Sequence, residues 1–153
     1  MKYLFLLLIS ISLFSCKEDA AVSPPSLVNT KWDLIETRGK DFGVYAPLSQ
    51  DFKWQKFERV GTGSMSYEFK KDTITEIDNP GPFSYRAPFY HKVAYTREDS
   101  TLKITPNRNY LFVIFGYNES KILRLTNDTL VIGSTNVGRD SGTYNEFKLV
   151  KWK

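Results

Sequence analysis

The chain has one cysteine, Cys16, and one histidine, His91, in 153 residues. A single thiol closes no disulfide within the chain, so stability has to come from burial and hydrogen bonding. One histidine with no second thiol beside it is too little for a nitrogen–sulfur metal cluster. Basic residues (21) outnumber acidic ones (17), but the signs are interleaved. No Lys/Arg block of the kind that tracks phosphates is present, which argues against nucleic acid as a partner. No apolar run reaches the roughly 20 residues of a membrane-spanning helix. No stretch combines helical periodicity with caps. The closest, Ser49 to Val60, scatters Phe52, Trp54, Phe57 and Val60 round the helix, and a loop or short helix followed by a strand is expected there.

Catalytic signatures are equally scarce. Serines lack a Gly-x-Ser-x-Gly elbow. Gly61-Thr62-Gly63-Ser64 is followed by no helix whose N-terminus could hold a phosphate. The acidic pairs Glu18-Asp19 and Glu98-Asp99 lie in a tether and a turn, not in the buried setting that suits acid–base chemistry. His91, between Tyr90 and Lys92, reads as a rim or surface residue. The chain is therefore expected to be a non-enzyme with no cofactor and no metal.

What is present begins at the N-terminus. Lys2 precedes a run from Tyr3 to Phe14 that holds only apolar residues, Tyr3 and two serines. That is a short positive region and an apolar region of secretory length. Cys16 stands where such a signal would be cut. Leu13-Phe14-Ser15-Cys16 resembles a bacterial lipobox, with Phe14 bulkier than the usual residue. The resemblance implies a diacylglycerol thioether on Cys16, cleavage after Ser15 and acylation of the new amino group. An ordinary signal peptide with an incidental cysteine and an uncleaved anchor are the alternatives. Lys17-Glu18-Asp19 resembles the export tag that sends lipoproteins of Bacteroidota to the outer face of the outer membrane; a solvated tether is the plainer explanation. The expected division is residues 1–15 as signal peptide, 16–27 as lipidated tether and 28–153 as one domain. Pro24-Pro25 favours an extended tether. Without Lys2 the net charge drops from +4 to +3.

The domain reads as β throughout. Strands are expected at Thr30–Arg38, Ser64–Lys70, Thr73–Asp78, Tyr90–Arg97, Thr101–Thr105, Tyr110–Tyr117, Lys121–Thr126, Thr129–Gly133 and Tyr144–Trp152. Met65, Tyr67 and Phe69 alternate with Ser66, Glu68 and Lys70, the period of a half-buried strand. Tyr110–Tyr117 is apolar on both faces and is expected to be the most buried. Asp72-Thr73, Asp99-Ser100 and Asp128-Thr129 each join two β-rich runs, at intervals of 27 and 29 residues. Aspartate followed by a hydroxyl residue suits a tight turn, and the spacing suits an antiparallel meander. The expected fold is all-β: an up-and-down meander of about 8–10 strands closing into a barrel, with a sandwich as the alternative.

Asn29-Thr30-Lys31-Trp32-Asp33-Leu34 resembles the opening strand of lipocalin-like domains, whose early tryptophan packs across one barrel end. Thr30 stands where true lipocalins usually have glycine. Tyr67–Asp72, Leu125–Ile132 and Tyr144–Lys151 resemble hairpins and the last strand of small lipocalin-like lipoproteins of Bacteroidota. The resemblance spans about residues 28–152 and implies a cup with one closed and one open end. The three Asp-(Ser/Thr)-apolar turns also resemble the O-glycosylation acceptor of that group.

For binding, the stretch from Asn79 to Tyr90 stands out. Three prolines and a glycine resist regular pairing, while Phe83, Tyr85, Phe89 and Tyr90 offer flat surface and Arg86 a cation. Such groups suit a binding rim, or a hairpin end that covers the barrel mouth. A second loop, Gly39 to Trp54, carries Phe42, Tyr45 and Trp54. The expected function is that of a lipid-anchored, outer-membrane, surface-exposed lipoprotein holding a small apolar or glycan-like ligand without catalysis. The alternative is a structural or protein-interaction accessory of the envelope with no small ligand.

Overall fold

A computed structural model describes residues 25–43, 51–57, 63–82, 84–105, 119–137 and 141–153. The expected signal, Cys16 and Lys17-Glu18-Asp19 lie outside these residues, as does the strand expected at Tyr110–Tyr117. Among the described residues there is no helix. The described residues form nine strands: β1 (Thr30–Gly43), β2 (Gln55–Lys56), β3 (Ser64–Phe69), β4 (Thr73–Asn79), β5 (Phe89–Glu98), β6 (Thr101–Ile104), β7 (Glu119–Leu125), β8 (Thr129–Val137) and β9 (Ser141–Lys151).

Every pairing is antiparallel. The order runs β1-β3-β4-β5-β6-β7-β8-β9, and β1 pairs back onto β9 from Trp32↔Lys151 to Gly43↔Ser141. Eight strands thus close an up-and-down barrel of lipocalin-like architecture, and the sandwich is not formed. The short β2 is an extra strand beside β1, pairing Thr37 with Gln55. In the stretch where a loop or short helix followed by a strand is expected, residues 51–54 are irregular and the strand is these two residues, because β3 leaves β1 after Asp33 and exposes the edge of the longer strand. β1 also runs five residues past the expected end at Arg38. Its extra length is held by β9, residue for residue.

The expected turns form where the aspartates stand. Asp128 Oδ1 accepts from Thr126 Oγ1 (2.8 Å) and Thr129 Oγ1 (3.3 Å), and the Thr129 amide donates back to Thr126 Oγ1 (3.0 Å). Asp99 takes a positive φ of 50° between β5 and β6, a conformation aspartate tolerates better than most residues. At the β3–β4 turn the Lys70 amide donates to Thr73 O (2.8 Å).

Side chains alternate between an inner and an outer wall. Met65, Tyr67 and Phe69 face inward and are buried, as their alternation suggested. Ser66, on the opposite face, is buried too, its hydroxyl donating to Asp33 Oδ1 (2.6 Å). Trp32, Leu34, Phe69, Ile74, Tyr95, Leu102, Leu130 and Leu149 fill one end of the barrel. Trp32 lies across that end: its Nε1 donates to Thr30 Oγ1 (2.7 Å), and Thr30 Oγ1 donates to Leu27 O. Leu27, expected at the end of the tether, is therefore packed into the core at 1% exposure.

Candidate functional site

The inner wall changes character from one end to the other. Its cross-strand rows can be followed through β7, β8, β9 and β1. The row nearest the packed end is Leu125–Leu130–Leu149–Leu34. Next comes Ile122–Ile132–Phe147–Thr37, then Ser120–Ser134–Asn145–Gly39, and on the last three strands Asn136–Thr143–Asp41. Large apolar side chains thus give way to hydroxyls, amides and a glycine.

Two bulges set this register. Ile35 is the extra residue in β1 and Leu123 in β7. Without the first, alternation would turn Thr37 outward; with it, Thr37 shares the inner wall with Phe147. The amide of Phe57 donates to the bulged Ile35 carbonyl (2.8 Å), which holds the β2 segment beside β1.

The opposite part of the inner wall is formed by β3, β4 and β5. Its rows are Phe69–Ile74–Val93, Tyr67–Glu76–His91 and Met65–Asp78–Phe89. The Tyr67 hydroxyl donates to Glu76 Oε2 (2.8 Å), and the Phe89 and His91 rings stack at 6.3 Å with 6° between planes. His91 thus faces the barrel interior, half-buried, with Glu76 registered opposite it. Among the described residues, no group of three histidine, aspartate or glutamate side chains is arranged to hold a metal ion.

A cavity of about 320 Å³ opens beside the β1–β9 part of this wall. Phe147 and Phe57 supply its aromatic surface, and Thr37, Gln55 and Asn145 its neutral polar groups. Its charged lining residues are paired: Asp51 with Lys53 as an exposed ion pair (2.9 Å), and Arg38 with Glu146 (2.6 Å). Two buried polar atoms of the inner wall, Ser134 Oγ and Asn136 Oδ1, find no hydrogen-bond partner among the described residues.

The aromatic candidates do not converge. Phe83 lies outside the described residues. In the β4–β5 connection Tyr85 is fully solvent-exposed and Arg86 is exposed. Phe89 and Tyr90 are consecutive on β5 and so face opposite walls, Phe89 inward beside His91 and Tyr90 outward opposite Ile77. Trp54 packs on the outer wall, where the Arg38 guanidinium lies 4.5 Å from its ring and 4.4 Å from that of Phe52. In the second loop candidate, Gly39 to Gly43 belongs to β1, and Tyr45 lies outside the described residues.

The outer wall carries its own polar cluster. Arg38 pairs with Glu146 (2.6 Å), Lys148 with Glu36 (2.6 Å), and Tyr144 donates to Glu146 Oε1 (2.9 Å). Burial and that hydrogen bond push the Tyr144 hydroxyl pKa up. A second hollow, of about 520 Å³, lies on this wall between Leu123, Gly133, Val137 and Tyr144.

The inner polar row was missed by sequence reasoning because its members are single residues on four separate strands. Only the register assembles them. A signal was nevertheless present: β8 reads Leu130, Ile132, Ser134, Asn136 at alternate positions, an inward face that turns polar halfway along. Among known proteins, no family model matches this chain and no curated protein is significantly similar to it.

Proposed function

We propose that this protein is a lipid-anchored lipoprotein of the cell envelope whose barrel binds a small ligand at its open end, without catalysis. The observation that carries the binding part is the change of character along the inner wall of β7, β8, β9 and β1. Among the described residues, one end of the barrel is packed with large apolar side chains, while at the other the β7–β9 and β1 part of the wall has small and polar inner residues beside a cavity of about 320 Å³. That volume is at the lower end of the roughly 300–1,000 Å³ common to small-molecule sites. A barrel built only as a scaffold gains stability by filling its interior.

Anchoring rests on the lipobox-like Leu13–Cys16 stretch and on the outer-face export tag that Lys17-Glu18-Asp19 resembles. The Pro24-Pro25 segment would hold the barrel away from the membrane surface. Cys16→Ser should release the mature protein from the membrane fraction. A processed Cys16→Ser protein that stays in the membrane would overturn the anchor. Native mass spectrometry of the envelope-purified chain tests binding: a discrete adduct lost on gentle activation is expected, and a bare mass at every activation energy counts against a tightly held ligand.

One observation favours the alternative of a protein-interaction accessory. The outer hollow is flanked by Leu123 and Val137, 47% and 72% exposed. Crosslinking on intact cells through position 137 would trap a partner under that alternative and nothing under the ligand-binding proposal.

A further inference from the structure

The inner row Ser120–Ser134–Asn145–Gly39 differs in kind from the apolar row beneath it. Gly39 is the key to its shape. A Cβ at position 39 would collide with Asn145 Oδ1. The missing side chain therefore lets the Asn145 amide lie flat against β1, over the cavity. Thr37 and Gln55 flank it on β1 and β2, and Phe147 and Phe57 lie beneath.

One strand further along the row, Ser134 is 3% exposed and its Oγ has no hydrogen-bond partner among the described residues. Asn136 Oδ1, one step higher on β8, is in the same condition. Folded proteins leave few buried polar atoms unsatisfied, because each costs stability. Two on the same inner face of one strand, with Ser134 paired to the cavity-lining Asn145, have the character of groups kept for an incoming partner.

We infer that this row takes a neutral, polyhydroxylated ligand, a simple saccharide or its close chemical equivalent. The inference rests on the open-end binding proposed above and names the ligand class for it. An apolar ligand would cover Ser134 and Asn136 without satisfying them, which is the costly outcome. The cations that line the cavity, Arg38 and Lys53, are already paired with Glu146 and Asp51, and an anion would also meet Asp41 on β1 and Asp78 and Glu76 across the barrel, where like charges repel. A sugar hydroxyl both donates and accepts. So do the amides of Asn145 and Gln55 and the hydroxyls of Thr37 and Ser134. The C–H face of a sugar ring is apolar and suits the aromatic surface of Phe147 and Phe57.

The test uses the full-length, lipidated protein, ¹⁵N-labelled, in lauryldimethylamine oxide, a detergent with no sugar headgroup. Backbone amide shifts of Gly39, Ser134 and Asn145 are followed while methyl glycosides of glucose, galactose, mannose and N-acetylglucosamine are titrated in turn. Sialic acid and 1-decanol serve as the anionic and apolar probes. The expected result is a saturable shift of these amides with at least one neutral glycoside. Gly39→Ala should weaken that affinity at least tenfold by displacing the Asn145 amide. Ser134→Ala should weaken it about three- to tenfold, the worth of one ordinary hydrogen bond, with no fall in thermal midpoint. Gly39→Ala meets only the end of a side chain at its closest point, and Ser134→Ala removes a hydroxyl with no partner, so both variants should fold. If 1-decanol or sialic acid shifts these amides and no glycoside does, the ligand class is wrong while open-end binding survives. If no probe shifts them, both proposals fall. Glycoside binding that leaves these amides and both variants unaffected overturns the row as the site.

Discussion

Arg38 and Glu146 stand 108 residues apart in sequence and directly opposite each other on β1 and β9, with Arg38 Nη2 2.6 Å and Nε 2.8 Å from Glu146 Oε2. Both oxygens of Glu146 are engaged, since Tyr144 donates to Oε1. The guanidinium plane also lies over Phe52 and Trp54. One side chain therefore ties the closing seam of the barrel to the short β2 segment.

Arg38→Ala should unfasten that segment. It leaves Glu146, only 9% exposed at its side chain, without its cation, and it removes two cation–π contacts. The expected loss is about 2 kcal/mol, less than for a fully buried pair because Arg38 is partly exposed. Arg38→Lys should recover only part of it, since an ammonium cannot stack as a plate between a carboxylate and two rings. Chemical denaturation measures the loss, and a red shift in Trp54 emission, with Trp32 and Trp152 replaced by phenylalanine, reports the release. An unchanged spectrum in Arg38→Ala would show that β2 is held by other contacts.

Thr30→Val keeps the β-branched shape but removes the acceptor of the Trp32 indole N–H. Trp32 is 1% exposed, so its donor would be left unpaired in the core. A cost of about 1–3 kcal/mol is expected. Trp32→Ala should cost more, about 3–5 kcal/mol, because it also opens a cavity at the packed end. Thermal unfolding of the two variants side by side gives the order.

Ser134→Ala, in the ligand-free protein, should leave stability unchanged or raise it by up to about 1 kcal/mol, because it removes a buried hydroxyl that has no partner. Asn145→Ala should be destabilising, since its amide packs on β1 and Nδ2 donates to Thr143 Oγ1 (3.3 Å). Opposite signs at two adjacent positions of one row, read by calorimetry, would separate the group kept for a partner from the group that holds the wall.

At the β7–β8 turn, hydrogen bonds from Thr126 and then Thr129 hold the Asp128 carboxyl below its ordinary value of 3.8. A depressed carboxyl favours the folded state above the unfolded pKa. That contribution disappears as pH falls through the lowered folded value. Thr126→Val should move the Asp128 pKa back up toward 3.8 and flatten the acid limb of the stability curve. Carboxyl NMR titration of Asp128 reads the shift directly; no change in Thr126→Val would mean that Thr129 alone suffices.

The alternation of Met65, Tyr67 and Phe69 was legible because period-2 patterning is a local property of the chain. The three Asp-hydroxyl turns were legible for the same reason: a turn bonds to its own neighbours. The reach of β1 past Arg38 was not. Gly39-Lys40-Asp41 has the composition of a loop, and only pairing to Asn145, Tyr144 and Thr143 keeps it extended. Trp54 looked like a mouth residue because sequence gives its chemistry and not its wall.

By itself the sequence determined that this domain is β, where its tight turns fall, and which residues alternate into the core; each is settled within a few neighbouring residues. Only the tertiary structure decided that β1 closes on β9, that a bulge at Ile35 turns Thr37 inward, and that Ser120, Ser134, Asn145 and Gly39 form one row. Those four positions come from four strands spread over almost the whole domain. Their chemistry as a group exists only once hydrogen-bond register has aligned the strands, and register is a property of pairs of strands rather than of any one of them.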